Sequence, residues 1–230
     1  MLGLDTALMY RNITYLLGGA VTTLVLTAAA VGLGLLGGTF LGMARLSQNR
    51  VINGLASAYV TFFRGTPLLV QIFITFYGFP GTTRWSAAII ALSMNSSAYI
   101  AEIVRAGIQS IDIGQTEAAI AGGLSPSQRL RYIILPQAFR RIIPPLGNEF
   151  IAMLKDSSLV SVIALEDLLR RAQLVVTSTY KPFEMFIMAA VMYLIMTSVI
   201  SWFVTLIEKH LQNNSPARLK NASVKKSMVA

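Results

Sequence analysis

Only ten of the 230 residues are Asp or Glu, and several of them stand in stretches that are otherwise apolar. Asn95, Tyr99 and Glu102 fall at i, i+4 and i+7, a spacing that puts them on one face of a helix. Glu149 and Asp156 are seven apart and share a face with Met153. A charge at the centre of a membrane helix costs about 2.5–3.5 kcal/mol on insertion scales, so these positions point to a binding site. Carboxylates, an amide and a phenol around one cavity suit a polar solute, and a cationic group above all, through charge-assisted hydrogen bonds. Pairing within the bundle is the open alternative. Lys155 adjoins Asp156, Arg105 follows Glu102, and Arg141 could reach back towards Glu149. The same inventory leaves little for other chemistry. There is no cysteine and one histidine, His210, so neither a metal centre nor a nucleophile–base pair is expected. Nowhere does G-x-x-x-x-G-K-[ST] occur, so no ATP is expected to bind this chain.

The elements that must position these residues follow from composition. The apolar set makes up 54% of the chain and charged residues 13%, against about 25% charged in a soluble domain. That surface exceeds what one soluble core could hide. An all-α integral membrane protein is expected, with about 20 apolar residues per crossing. Five stretches qualify: residues 15–44, 55–79, 85–104, 142–165 and 183–207. The first is too long and too poor in leading charge for a cleavable signal peptide. Its Gly34, Gly38 and Gly42 repeat at the small-xxx-small spacing that lets helices approach closely. Twelve of the nineteen Lys and Arg residues fall on one side of this arrangement, and five (Arg11, Arg84, Arg170, Arg171, Lys181) on the other. The richer side should be cytoplasmic, which places the N-terminus outside and the C-terminus inside. The net charge of +9 then needs no nucleic acid; lipid headgroups and topology account for it. The transmembrane domain is expected over 1–208, followed by a basic cytoplasmic tail over 209–230 that is polar and poorly ordered from residue 212.

Two interruptions break this apolar pattern. In the second stretch, Arg64-Gly65-Thr66-Pro67 removes a helix donor beside a charge. Such a break survives in a membrane only where protein or water satisfies the freed backbone groups, so Gly65 and Pro67 mark a kink or a cavity-lining gate. Between the third and fourth stretches lies a polar segment too long for a simple connection. Over residues 112–138 it reads helix, turn, helix. Gln115 to Ala121 form a helical run, Gly122-Gly123 stop it, and Ser125-Pro126 restart it. Leu130, Ile133, Ile134 and Ala138 keep helical spacing, and Pro136 predicts a bend or an end.

Glu117-Ala118-Ala119, Gly123 and Ile133-Ile134-Leu135-Pro136 match the EAA signature of ABC importer permeases. Arg64-Gly65-Thr66-Pro67-Leu68-Leu69-Val70-Gln71, Asn95 to Glu102, Arg105 to Ile111 and Leu146 to Leu159 extend the match. The sequence therefore resembles the polar amino acid uptake family, the histidine-, glutamine- and arginine-type permeases, from about the second span to residue 208. The resemblance implies a type I ABC importer-like fold of five transmembrane helices. The 112–138 hairpin would be a cytoplasmic coupling helix, with Glu117, Ala118, Ala119, Gly123 and Pro136 engaging a separate ATPase subunit that holds ATP and magnesium. It also implies a second permease subunit, either an identical chain or a paralogue, an extracellular or periplasmic binding protein, and a prokaryotic inner membrane. In the membrane, Asn95, Tyr99, Glu102, Glu149 and Asp156 would meet the substrate, while backbone donors near Pro67 take its carboxylate. Glutamine-type permeases of the family tend to carry an amide at the position of Glu149, so the carboxylate here favours a cationic amino acid; a neutral, glutamine-type substrate is the alternative. A gradient-driven carrier is a further alternative. It would show paired repeats with a break in each half, and only one break is present.

Overall fold

The computed structural model describes residues 4–213, and all regular structure among them is helical. Helix α1 (Thr6–Ala44) starts nine residues before the expected span. Asp5 caps it by accepting from the Leu8 amide at 3.0 Å, which lets the helix begin in the polar lead-in. At about 1.5 Å per residue its 39 residues make it longer than a bilayer core is thick. Helix α4 (Arg84–Gln109) runs beside it in the same direction, so that Gly34 meets Ser96, Gly38 meets Ile100 and Gly42 meets Val104. A Cβ at Gly38 would stand 2.7 Å from the Ile100 side chain and from the Ser97 carbonyl. The glycine stripe is therefore the surface on which α1 and α4 touch, as its spacing predicts.

The second expected span is two helices. Helix α2 (Arg50–Gly65) and helix α3 (Leu68–Gly78) meet at Thr66-Pro67 and are bent by 104°. Pro67 cannot donate, and the residue before a proline is pushed out of the helical region; Thr66 is extended at φ −115°, ψ 147°. Helix α3 lies against the first half of α4, with Ile72 in the core beside Ala87, Ala88, Ala91 and Leu92. Helix α2 instead crosses α4 further along, and Val60 packs on Ala98 and Ala101.

Beyond α4 the chain makes the expected hairpin. Helix α5 (Ile113–Ala121) starts at Asp112, whose carboxylate accepts from the Gly114 amide at 2.7 Å. It ends with Leu124 donating to Ala119 O at 3.0 Å and Gly123 to Ile120 O at 2.9 Å, a closure that needs the left-handed φ of +76° at Gly123. Helix α6 (Pro126–Arg129) begins with a Ser125–Gln128 capping box. A π-helical segment (Leu130–Ile134) then leads into α7 (Leu135–Asp156). The discontinuity expected at Pro136 is thus a widened turn just before it, where the proline's missing donor and ring bulk fall within the first turn of α7.

Helix α7 runs antiparallel to α4: Ile142 would be struck by a Cβ on Gly107, and Glu149 lies beside Ser96. A 3₁₀ segment (Ser157–Ile163) and helix α8 (Leu168–Thr179) follow, and α8 packs on α1 through Leu168, Ala172, Leu16 and Ala20. Helix α9 (Pro182–Asn213) closes the bundle. It carries the first residues of the expected tail; the tail from residue 214 onward lies outside the described residues. By length and apolarity α1, α4 and α9 can each cross a membrane, and the bent α2–α3 pair makes four. Helix α7, at 22 residues, is long enough but includes Arg140, Arg141, Glu149, Lys155 and Asp156, which is why apolarity alone does not find it.

Candidate functional site

The helix break is built by two amides. Buried Gln71, one turn into α3, donates through Nε2 to Phe63 O at 2.9 Å, Thr66 O at 3.1 Å and Thr66 Oγ1 at 2.9 Å. Its Oε1 accepts from Asn95 Nδ2 at 3.0 Å, and Asn95 also reaches Phe63 O at 3.3 Å. The carbonyls that Pro67 leaves without helical partners are therefore satisfied by protein side chains. Asn95 is buried and spends its donors here. Gln71 was not singled out from the sequence; an amide four residues after a span-breaking proline is the signal that would have found it. On the same side Tyr59 Oη lies 3.0 Å from Met94 O and 2.8 Å from Ser97 Oγ, tying α2 to α4.

Glu102 is held among arginines. Arg105, one turn on, grips it through Nη2 and through Nε at 3.2 Å, and Arg45, at the end of α1, donates through Nη1. Arg64 Nη1 stands at 3.9 Å from the same carboxylate. The pairing of Glu102 with Arg105 is the local one seen in the sequence, whereas Arg45 and Arg64 arrive from α1 and α2 and carry no sequence signal for it. Tyr99, one turn before Glu102, lies under the Arg64 guanidinium, whose Cζ is 5.2 Å from the ring centroid.

Glu149 has a different environment. It is half-buried against α4 and accepts one hydrogen bond, from Ser96 Oγ at 3.3 Å. Among the described residues neither Glu149 nor Asp156 forms an ion pair. Arg141 turns away and donates to Ser110 O, and Lys155 makes no bridge to Asp156. The charges whose fields reach Glu149 are those of Asp156 and Arg64. The structure thus sets Glu149 against Ser96 and Arg64 over Tyr99, three residues further along α4, with Asp156 two turns beyond Glu149 on α7. Asn95 and Glu102 flank Ser96 and Tyr99 along α4 but are committed to partners. Among the described residues no group of three or more acidic or histidine side chains could hold a metal ion.

The hairpin is a second, separate surface. Glu117, Ala118, Gly123 and Pro136 are exposed and Ala119 is buried. Ile113, Ile120, Leu130, Tyr132 and Phe139 expose large apolar area around them, 74% in the case of Ile113. Helix α5 folds back on α7 where Gln137 Nε2 donates to Gln115 Oε1 at 3.4 Å.

Residues 34–213 match the family described as binding-protein-dependent transport system inner membrane component. The chain is 37% identical to the nopaline transport system permease protein of Agrobacterium fabrum, covering 96% of this chain and 98% of that one. It is 36% identical to the arginine transport system permease of Bacillus subtilis (93% and 100% covered) and 36% identical to a probable glutamine ABC transporter permease of the same organism (92% and 100%). A solved structure of an amino acid ABC transporter with histidines superposes with a TM-score of 0.86 at 41% identity, over 91% of this chain and all of that one.

Proposed function

The chain belongs to the family of binding-protein-dependent transport system inner membrane components, and from that premise we propose that it imports a polar amino acid with a cationic side chain. It is the membrane permease of an ATP-driven amino acid transporter and not itself an enzyme; a separate ATPase subunit hydrolyses ATP. The observation that carries the cationic reading is Glu149. This carboxylate accepts a single hydroxyl hydrogen bond and has no cation of its own among the described residues. An unpaired carboxylate inside a protein is expensive unless a ligand neutralises it, and a guanidinium or ammonium group does so with charge-assisted hydrogen bonds. Asp156, two turns further along α7, likewise forms no ion pair among the described residues. Relatives that carry nopaline, arginine and glutamine in their names leave the cationic and the neutral substrate both within the family's range.

In this reading the bent α2–α3 pair forms one broken crossing and α7 another, which with α1, α4 and α9 makes five. The N-terminus lies outside and the basic tail inside a prokaryotic inner membrane. The hairpin is the cytoplasmic coupling element: Glu117 and Gly123 shape the α5 turn, and the exposed apolar side chains from Ile113 to Phe139 seat in the ATPase, which holds ATP and magnesium. A second permease subunit and a binding protein complete the importer, and alternating access carries the substrate past Tyr99, Glu149 and Asp156. Gly65 and Pro67 hold the break beside that path.

The test is uptake by proteoliposomes holding the permease with its ATPase and binding protein. Labelled arginine should accumulate only with internal ATP at the ATPase, and excess histidine or lysine should compete better than excess glutamine. Preferential uptake of glutamine would give the neutral reading, and accumulation driven by an ion gradient without ATP would overturn the importer reading altogether.

A further inference from the structure

Arg64 is the least committed of the three arginines around Glu102. Its nearest anion, Glu102, already takes Arg105 on both oxygens and Arg45 on one, and stands 3.9 Å away. Three arginines around one glutamate leave two positive charges without local compensation. Of the three, Arg64 is the most open, with 42% of its side chain exposed against 19% for Arg45 and 27% for Arg105. It forms no hydrogen bond to a protein group among the described residues. The guanidinium lies over the Tyr99 ring at 5.2 Å from its centroid, a cation–π contact that uses no N–H group and leaves them available for a bidentate acceptor. The helix break sets this position. Arg64 is the penultimate residue of α2, directly before the 104° bend into α3. Its field also reaches Glu149.

Along α4, Ser96, which bonds Glu149, and Tyr99, which lies under Arg64, are three residues apart, so a guanidinium and an unpaired carboxylate flank the same turn of one helix, a charge distribution that complements a zwitterion with an added cationic group. We infer that Arg64 takes the α-carboxylate of the transported amino acid, with the Tyr99 ring as the platform that holds it. This rests on the reading of Glu149 and Asp156 as the side of the site that meets the cationic end. It makes Arg64 the residue that distinguishes an amino acid from the corresponding amine. It also replaces the backbone donors near Pro67 with a side chain as the carboxylate's partner.

The experiment measures equilibrium binding to the purified permease–ATPase complex in nanodiscs, without the binding protein. Two ligand pairs differ only by the carboxylate: arginine against agmatine, and glutamine against its decarboxylated amine. The readout is the affinity ratio within each pair. The wild-type complex should favour the carboxylate-bearing member by about tenfold to a hundredfold, the range expected of a charge-assisted bidentate contact. Arg64→Gln should bring the ratio close to one by weakening the amino acid while leaving the amine unchanged. Arg64→Lys, which keeps the charge but loses the planar fork, should lower the ratio several-fold. Glu149→Gln should weaken arginine and agmatine together and leave the ratio as it was. A wild-type ratio near one overturns the inference, as does a ratio that persists in Arg64→Gln or a loss shared equally by acid and amine. Should Arg64→Gln fail to assemble with the ATPase, the lysine variant decides, and a wild-type ratio there also overturns it. If Glu149→Gln changes nothing while Arg64→Gln still collapses the ratio, the cationic reading falls and the assignment of Arg64 stands. A wild-type complex that binds none of these ligands removes both.

Discussion

Glu102 and Glu149 are both carboxylates on long helices of an apolar bundle, and their surroundings are opposite. Glu102 gathers Arg45 from the end of α1, Arg105 from its own helix and, at longer range, Arg64 from α2. It ties together three helices whose other contacts are close-packed small and apolar side chains and the Tyr59 hydroxyl. Glu149 has one serine hydroxyl. A saturated charge stabilises the fold that holds it, and an unsaturated one is available to a ligand; in the function proposed above, the two glutamates divide those tasks between them. The two amides near the break follow the same rule. Gln71 spends its donors on Phe63 and Thr66 and Asn95 spends its own on Phe63 and Gln71, so their polarity serves the bend.

If this division holds, damage to the saturated set should appear as lost stability and damage to the unsaturated set as lost binding. The largest effect is expected from Glu102→Ala, which leaves three arginines facing one another. Removing one partner of a buried pair costs about 3–5 kcal/mol, and the partial exposure of this cluster places it at or below the low end. Thermal unfolding of the detergent-solubilised complex should show a clear drop in midpoint, with uptake falling in proportion to folded protein. Normal stability with lost uptake would move Glu102 into the binding set. Next, Gln71→Leu should strip the Thr66 carbonyl of its side-chain donor and leave that of Phe63 only the longer bond from Asn95, at a cost of about 1–3 kcal/mol. It should also make the backbone around the break more open to hydrogen exchange. Exchange unchanged at residues 63–66 would show that water replaces the amide. A smaller loss, about 1–3 kcal/mol reduced by whatever α1 can yield, is expected from Gly38→Ala. Its new methyl would meet Ile100 and the Ser97 carbonyl at 2.7 Å. A stability equal to wild type there would mean that α1 and α4 slide apart freely.

Much of this arrangement is legible in the residues, because the signals involved are local. The glycine stripe at Gly34, Gly38 and Gly42, the Ser125-Pro126 restart and the Gly123 turn are each set by a few neighbouring side chains, and each stands in the structure where its spacing placed it. Pro67 announces a break but not its angle, since 104° depends on how α2 is drawn across α4 by Tyr59 and Val60. The start of α1 at Thr6 follows from a cap at Asp5 that apolarity does not register. The reading of Glu102 and Asn95 as candidates for solute contact rests on their place in an apolar span and on the helical spacing that puts them on one face. What decides their surroundings is the arrival of Arg45 and Gln71, which are 57 and 24 residues away in the chain. Spacing within one helix shows which residues share a face. It does not show what the neighbouring helix has already placed there.

The division between the two glutamates is tested most directly by Glu149→Gln, with thermal unfolding and arginine binding measured on the same preparation of the permease–ATPase complex. The account predicts an unfolding midpoint at or above that of the wild type, because an unpaired charge has been removed. It predicts arginine binding weaker by about tenfold or more, and glutamine binding little changed. A variant that melts early, or that binds arginine as tightly as the wild type, would contradict it.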